Sequence, residues 1–114
     1  MTATTITAQV APNKYSTTGT AVTMTAADVA NGNDALATID QLLIAQNTAG
    51  ENGAVTVTST ADARTGRTGN VSAQVLAASE IRIFRLQPNG WADANGKISF
   101  SGGETTVKFA VINL

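Results

Sequence analysis

Few side chains in this chain can do acid–base, nucleophilic or metal chemistry. It contains neither His nor Cys. That removes the commonest general base and metal ligand. It also removes thiolate nucleophiles, zinc and iron–sulfur centres and any disulfide framework. Neither a Ser-His-Asp nor a Cys-His arrangement can be assembled. What remains is carboxylate and lysine chemistry. The acids are Asp28, Asp34, Asp40, Glu51, Asp62, Glu80, Asp93 and Glu104, and no two stand close in sequence. A glycosidase needs two carboxyl groups facing each other across a cleft. Folding could bring Asp62 and Asp93 together, but nothing in their spacing requires it. The chain therefore reads as non-enzymatic, with no catalytic, cofactor-binding or metal-binding residue to name.

Three short motifs touch on binding chemistry, and each falls short. Arg64-Thr65-Gly66-Arg67-Thr68-Gly69 has the glycines of a phosphate loop, but Asn70-Val71 follows where Lys and then Ser or Thr are needed. Asp93-Ala94-Asn95-Gly96 resembles part of a calcium loop without the further oxygen ligands and closing Glu. It reads as an Asx turn. Asn70-Val71-Ser72 fits the glycosylation pattern, which matters only on a secreted chain. The segment Met1 to Val10 lacks the basic and apolar regions of a secretory signal, so cytoplasmic synthesis is expected.

The 114 residues make one domain. Charged residues are 13 % of the chain and the net charge is −1. The bases Lys14, Arg64, Arg67, Arg82, Arg85, Lys97 and Lys108 form no basic face, so no nucleic-acid partner is expected. No apolar run approaches the length of a membrane-spanning helix, so no membrane partner is expected either.

The dominant period is two, which predicts strands. Candidate strands are Thr4 to Val10, Thr20 to Thr25, Gln41 to Asn47, Ala54 to Ser59, Val71 to Ala77, Ile81 to Leu86, Lys97 to Ser101 and Thr105 to Leu114. Ala26 to Thr38 reads as a loop with one helical turn at most. Asn52-Gly53, Asn89-Gly90, Asn95-Gly96 and Gly102-Gly103 supply turns. The expected fold is all-β: an eight-stranded antiparallel β-sandwich, jelly-roll or immunoglobulin-like, with little or no helix and with a closed barrel as the alternative. Residues 40–114 would form its core. Residues 1–39 would supply N-terminal strands or an arm and a loop, within the same domain.

Some apolar residues exceed what one core needs. Gln41 to Asn47 is apolar on both faces, so its outer face should be covered too. The last strand has a second apolar row, Ala110, Ile112 and Leu114. That row either packs under a loop or meets another subunit. Trp91 and Tyr15, the only residues of their types, are candidate anchors of such an interface. Trp91 could equally cap an open end of the sandwich. Arg82 and Arg85 beside Phe84 are either rim residues of the patch or ordinary solvated arginines.

The order of segments resembles a known family. Gln41-Leu42-Leu43-Ile44-Ala45-Gln46-Asn47-Thr48-Ala49-Gly50 is similar to the strand–Asn–turn opening of small bacteriophage virion proteins. A Val55-Thr56-Val57 strand follows, then Val75-Leu76-Ala77-Ala78-Ser79 and Ile81-Arg82-Ile83-Phe84-Arg85-Leu86. Asn95-Gly96-Lys97-Ile98-Ser99-Phe100 and Val107-Lys108-Phe109-Ala110-Val111-Ile112 close the pattern. The family is that of the phage capsid decoration, or cement, proteins, and the resemblance spans Asp40 to Leu114. It implies a β-sandwich, often a homotrimer, on the outer surface of the virion head. There it would clamp neighbouring subunits of the major capsid protein without a cofactor. Two alternatives stand beside it: another virion part (tail, neck or fibre base), or a carbohydrate-binding module that uses Trp91 as its platform.

Overall fold

Alternating β-branched and polar residues become strands because one face of the pleat can then be buried. The computed structural model describes residues 2–60, 66 and 69–114. Its strands are β1 (Thr4–Thr5), β2 (Gln9–Val10), β3 (Thr25–Ala26), β4 (Asn33–Leu36) and β5 (Gln41–Asn47), followed by β6 (Gly53–Val57), β7 (Val71–Leu76), β8 (Ile81–Leu86), β9 (Lys97–Gly102) and β10 (Val107–Asn113). The first sheet has the order β1-β4-β9-β6-β7. The second has the order β2-β10-β5-β8, with β3 also on β10. No helix occurs among the described residues.

The two sheets share one core in a sandwich-like arrangement. Ala35, Val55, Val57, Leu76, Ile98 and Phe100 enter it from the first sheet. Leu43, Ala45, Leu86, Val107, Phe109 and Val111 enter from the second. Phe100 and Phe109 meet edge to face across the layers, with ring centroids 4.9 Å apart and planes at 75°. That geometry sets the positive edge of one ring against the negative face of the other. Close approach also explains Gly102 at the end of β9. A Cβ there would lie 2.9 Å from Cβ of Ala27 and 3.0 Å from Cγ1 of Val107, so only a residue without one fits.

The structure departs from the sequence expectation mainly before residue 40. The expected strand Thr4 to Val10 is split between the sheets. Thr4 and Thr5 pair in parallel with Asn33 and Asp34, whereas Gln9 and Val10 pair in parallel with Ile112 and Asn113. Its expected inward row breaks up too: Ile6 is buried, Ala8 half-buried and Val10 exposed. One buried side chain cannot hold seven residues on one sheet, and the chain crosses over at Ile6. The expected strand Thr20 to Thr25 is reduced to Thr25–Ala26. Conversely, Asn33–Leu36 is a strand where a loop was expected. It follows a lone i→i+4 turn in which Gly32 N donates to Asp28 O at 2.8 Å. Its inward residues are Asn33 and Ala35, too weak an apolar signal to read as a strand. The strand count among the described residues is thus ten rather than eight, and two of the three two-residue N-terminal pairings are parallel.

Three carboxamides are buried, and two of them, Gln41 and Asn47, tie the layers together. Gln41 Nε2 donates to Leu36 O and to Asn113 Oδ1, both at 2.9 Å. Asn33 Oδ1 accepts from Asp28 N at 3.0 Å, and its Nδ2 donates to Thr4 O. Asn47 Nδ2 donates to Glu51 O at 2.6 Å, Leu76 O at 3.1 Å and Ala77 O at 3.3 Å, and its Oδ1 accepts from Ala49 N. Asn47 therefore holds two turns, one after β5 and one after β7. Asn47→Ala should strip the carbonyls of these turns of their donor and lower unfolding stability by about 1–3 kcal/mol. The exposed Thr58→Ala should stay within about 0.5 kcal/mol. Urea unfolding of the two variants checks this.

Candidate interaction surface

The outer face of the second sheet carries apolar residues that the core does not use. The registers of β10, β5 and β8 set its residues in three rows across the strands. Ile112, Leu42 and Arg85 form the first row, and Ala110, Ile44 and Ile83 the second. Lys108, Gln46 and Ile81 form the third. The result is an apolar centre flanked by Arg85, Lys108 and Gln46, the anatomy of a protein-binding patch. Leu42, Ile44 and Ile112 are half-buried. On the edge strand, Ile83 is 62 % exposed and Ile81 56 %.

The five candidate interface residues do not form one site. Ala110 and Ile112 share the outer row of β10, but Ala110 has no exposed surface and can offer no contact area. Its methyl sits between Lys108 and Ile112 along the strand and opposite Ile44. Gln9, level with Ile112, also brings the 21–23 segment to this side: its Nε2 donates to Ala21 O and its Oε1 accepts from Thr23 N. Leu114 lies past the strand end, where its N donates to Asp40 O at 3.1 Å. There it is exposed, beside the exposed Ile39. Trp91 belongs to the other sheet, next to the Ala92–Ile98 bridge, and packs against the core. Tyr15 is 93 % exposed in the loop after β2, where its N donates to Asn13 Oδ1. Ile81 and Ile83 were missed as surface residues. The available signal was parity: with Phe84 and Leu86 directed inward, residues 81 and 83 must face out.

The two arginines of β8 are paired locally. Arg85 grips Asp40 with two parallel hydrogen bonds, Nε to Oδ1 at 2.8 Å and Nη2 to Oδ2 at 2.5 Å. This holds the Asp40 carboxyl below its ordinary range and raises the guanidinium. Glu80 is held low first by the N–H of Ala77 and then by Arg82, which lies 3.1 Å away. Asp28 is held low chiefly by the hydroxyl of Thr4, which donates at 2.6 Å, and then by the N–H of Asn31.

The remaining motifs resolve into structural roles or fall outside the described residues. Asp93 Oδ1 accepts from Asn95 N at 2.8 Å and Lys97 N at 3.0 Å, the geometry of an Asx turn. Asn70 Oδ1 accepts from Ser59 N. Asp62, Arg64 and Arg67 lie outside the described residues, so the Asp62–Asp93 pairing does too, as does the glycine-flanked repeat apart from Gly66 and Gly69. No group of three or more acidic side chains able to hold a metal occurs among the described residues. A cleft of about 390 Å³ is lined by Thr5 through Gln9 with Thr23 and Thr25, and none of these side chains is titratable.

No family model, curated protein or solved structure matches the chain.

The lowered carboxyls set the direction of the pH dependence. With folded-state values below the unfolded ones, the unfolded chain binds more protons between the two. The stability these groups contribute is therefore present above the ordinary carboxylate range, about pH 4, and lost as pH falls through the lowered values. With no His, the thermal midpoint should be flat from about pH 5.5 to 7. It should drop below about pH 4, and Asp40→Asn should flatten part of that drop. Calorimetry across this range checks both, and added salt should weaken the Asp40–Arg85 share.

Proposed function

We propose that this chain is a non-enzymatic structural protein of a bacteriophage virion. It docks on the outside of the capsid as a decoration protein and stabilises the assembled head. In this reading the sandwich is of the jelly-roll or immunoglobulin-like kind and its partner is the major capsid protein. The observation that carries it is the apolar centre of Leu42, Ile44, Ile83 and Ile112 with its polar rim, spread over three strands of one sheet. Such a face is suited to a broad protein surface rather than a small ligand. The near-neutral chain, with net charge −1, adds little repulsion at the dense spacing of a shell. The mechanism is mass action: copies that bind only the assembled lattice shift the equilibrium toward it.

The test is binding to heads of the encoding phage grown without the protein, followed by co-sedimentation and imaging. Added protein should coat the outer surface and raise the temperature at which the heads break open. Ile112→Asp puts a charge in the apolar centre while the core residues of β10 stay in place. It should weaken binding by about 10–100-fold, the loss expected from one buried aliphatic contact. Heads that stay bare with the wild-type chain would overturn the reading, as would unaltered binding by Ile112→Asp.

A further inference from the structure

β8 ends the second sheet among the described residues. One hydrogen bond shows which of its main-chain groups are free. Asn47 N donates to Glu80 O at 2.9 Å, one step beyond the Gln46–Ile81 pair. That makes Asn47/Glu80 a hydrogen-bonded pair, and such pairs recur at every second residue of an antiparallel ladder. Arg82, Phe84 and Leu86 therefore turn N–H and C=O toward β5. Ile81, Ile83 and Arg85 turn theirs toward the open edge.

Sheet edges in soluble proteins are normally blocked. The edge strand β7 of the first sheet is blocked: its register with β6 shifts between Val55 and Val57, and Ala73 is forced to φ 46°. β8 carries no such device. Its register with β5 runs unbroken from Gln41↔Leu86 to Gln46↔Ile81, and it contains no Pro. Its two arginines would repel a neighbour if left free, yet each is paired within the chain, Arg82 with Glu80 and Arg85 with Asp40.

We infer that β8 pairs antiparallel with β8 of a second copy, about a two-fold axis at Ile83. This register follows from the free groups. Ile83 opposes its own copy and Ile81 opposes Arg85, so all three open residues exchange both of their hydrogen bonds. Arg82 then opposes Phe84, where a guanidinium can lie over the ring. Moving the axis to Arg82 sets the two copies of Arg82 against each other, a like-charge pair that costs stability. It also leaves Arg85 without a strand partner. Moving the axis to Phe84 leaves Ile81 without one. Antiparallel edge pairing is isologous and closes at two copies, so the edge favours a dimer over the trimer that the family resemblance implies. The second sheet becomes continuous through the dimer, and both outer faces lie on the same side. This inference does not depend on capsid docking.

Light scattering over a wide concentration range should give a dimer mass, about twice the 11.6 kDa of the chain. Ile83→Pro should fold, because the N–H it removes is not in the β5 ladder, and should give the 11.6 kDa monomer. Ile112→Asp should remain a dimer. Since the chain has no Cys, Ile83→Cys gives a clean register test. Opposed Cα atoms in a hydrogen-bonded pair are about 5.5 Å apart, so Ile83→Cys should cross-link with a short bifunctional thiol reagent. Ile81→Cys and Arg85→Cys should cross-link only when mixed. A monomer at all concentrations, a trimer, a dimer that survives Ile83→Pro, or an Ile83→Cys variant that stays uncoupled would each overturn the inference. Should Ile83→Pro fail to fold, the cysteine variants decide.

Discussion

Two carboxamides, at the first and last positions of β5, close the sandwich at both ends. A buried amide left without partners costs more than most single contacts return, so whatever surrounds it must supply them. Gln41 takes its partners from the end of β4 and the end of β10. Asn47 takes them from the turns after β5 and β7. The strand between them therefore cannot slide, and a slip of one residue would turn its inner row outward. The arrangement is complete: among the described residues, no buried side-chain polar atom lacks a partner.

With β5 held in place, the outer face follows. β10 and β8 flank β5 in fixed register, so Leu42 and Ile44 must line up with Ile112 and Ala110 on one side and with Arg85 and Ile83 on the other. An apolar surface is thus built by the same constraint that builds the core. The Arg85–Asp40 pair joins the edge strand to the segment entering β5, so the charge next to this surface is anchored rather than free. The unblocked edge of β8 and the bulged edge of β7 leave the two sheets unequal in what they offer a neighbour.

The strands from residue 41 onward, β7 excepted, were legible because each carries its own alternation; in β7 the register shift leaves Ala73 and Val75 exposed and Leu76 buried. Val55 and Val57, Ile98 and Phe100, and Val107, Phe109 and Val111 all point inward as the period requires. Before residue 40 that signal fades. Thr-rich segments have the β-propensity of strands but little to bury, so their pairing is set by whatever edge lies nearby. β4 was hidden for the opposite reason, since its inward Asn33 is satisfied by Asp28 N and Thr4 O, groups brought to it only by folding. The candidate surface was half legible. The outward row of β10 could be read from parity, and a core-capping Trp91 was one of the two readings its sequence position offered, but the burial of Ala110 could not be read.

Composition and local patterning settle which chemistry the chain lacks and where it alternates. A residue type is either present or absent, and period-two patterning is local to a few neighbours. The tertiary structure alone decided which sheet each strand joins, which edge stays open and which apolar side chains remain in contact with water. Those outcomes depend on partners far along the chain: Ile44 meets Ala110 and Ile83, and Asp40 meets Arg85. Burial is a property of the assembled neighbours and not of the residue itself.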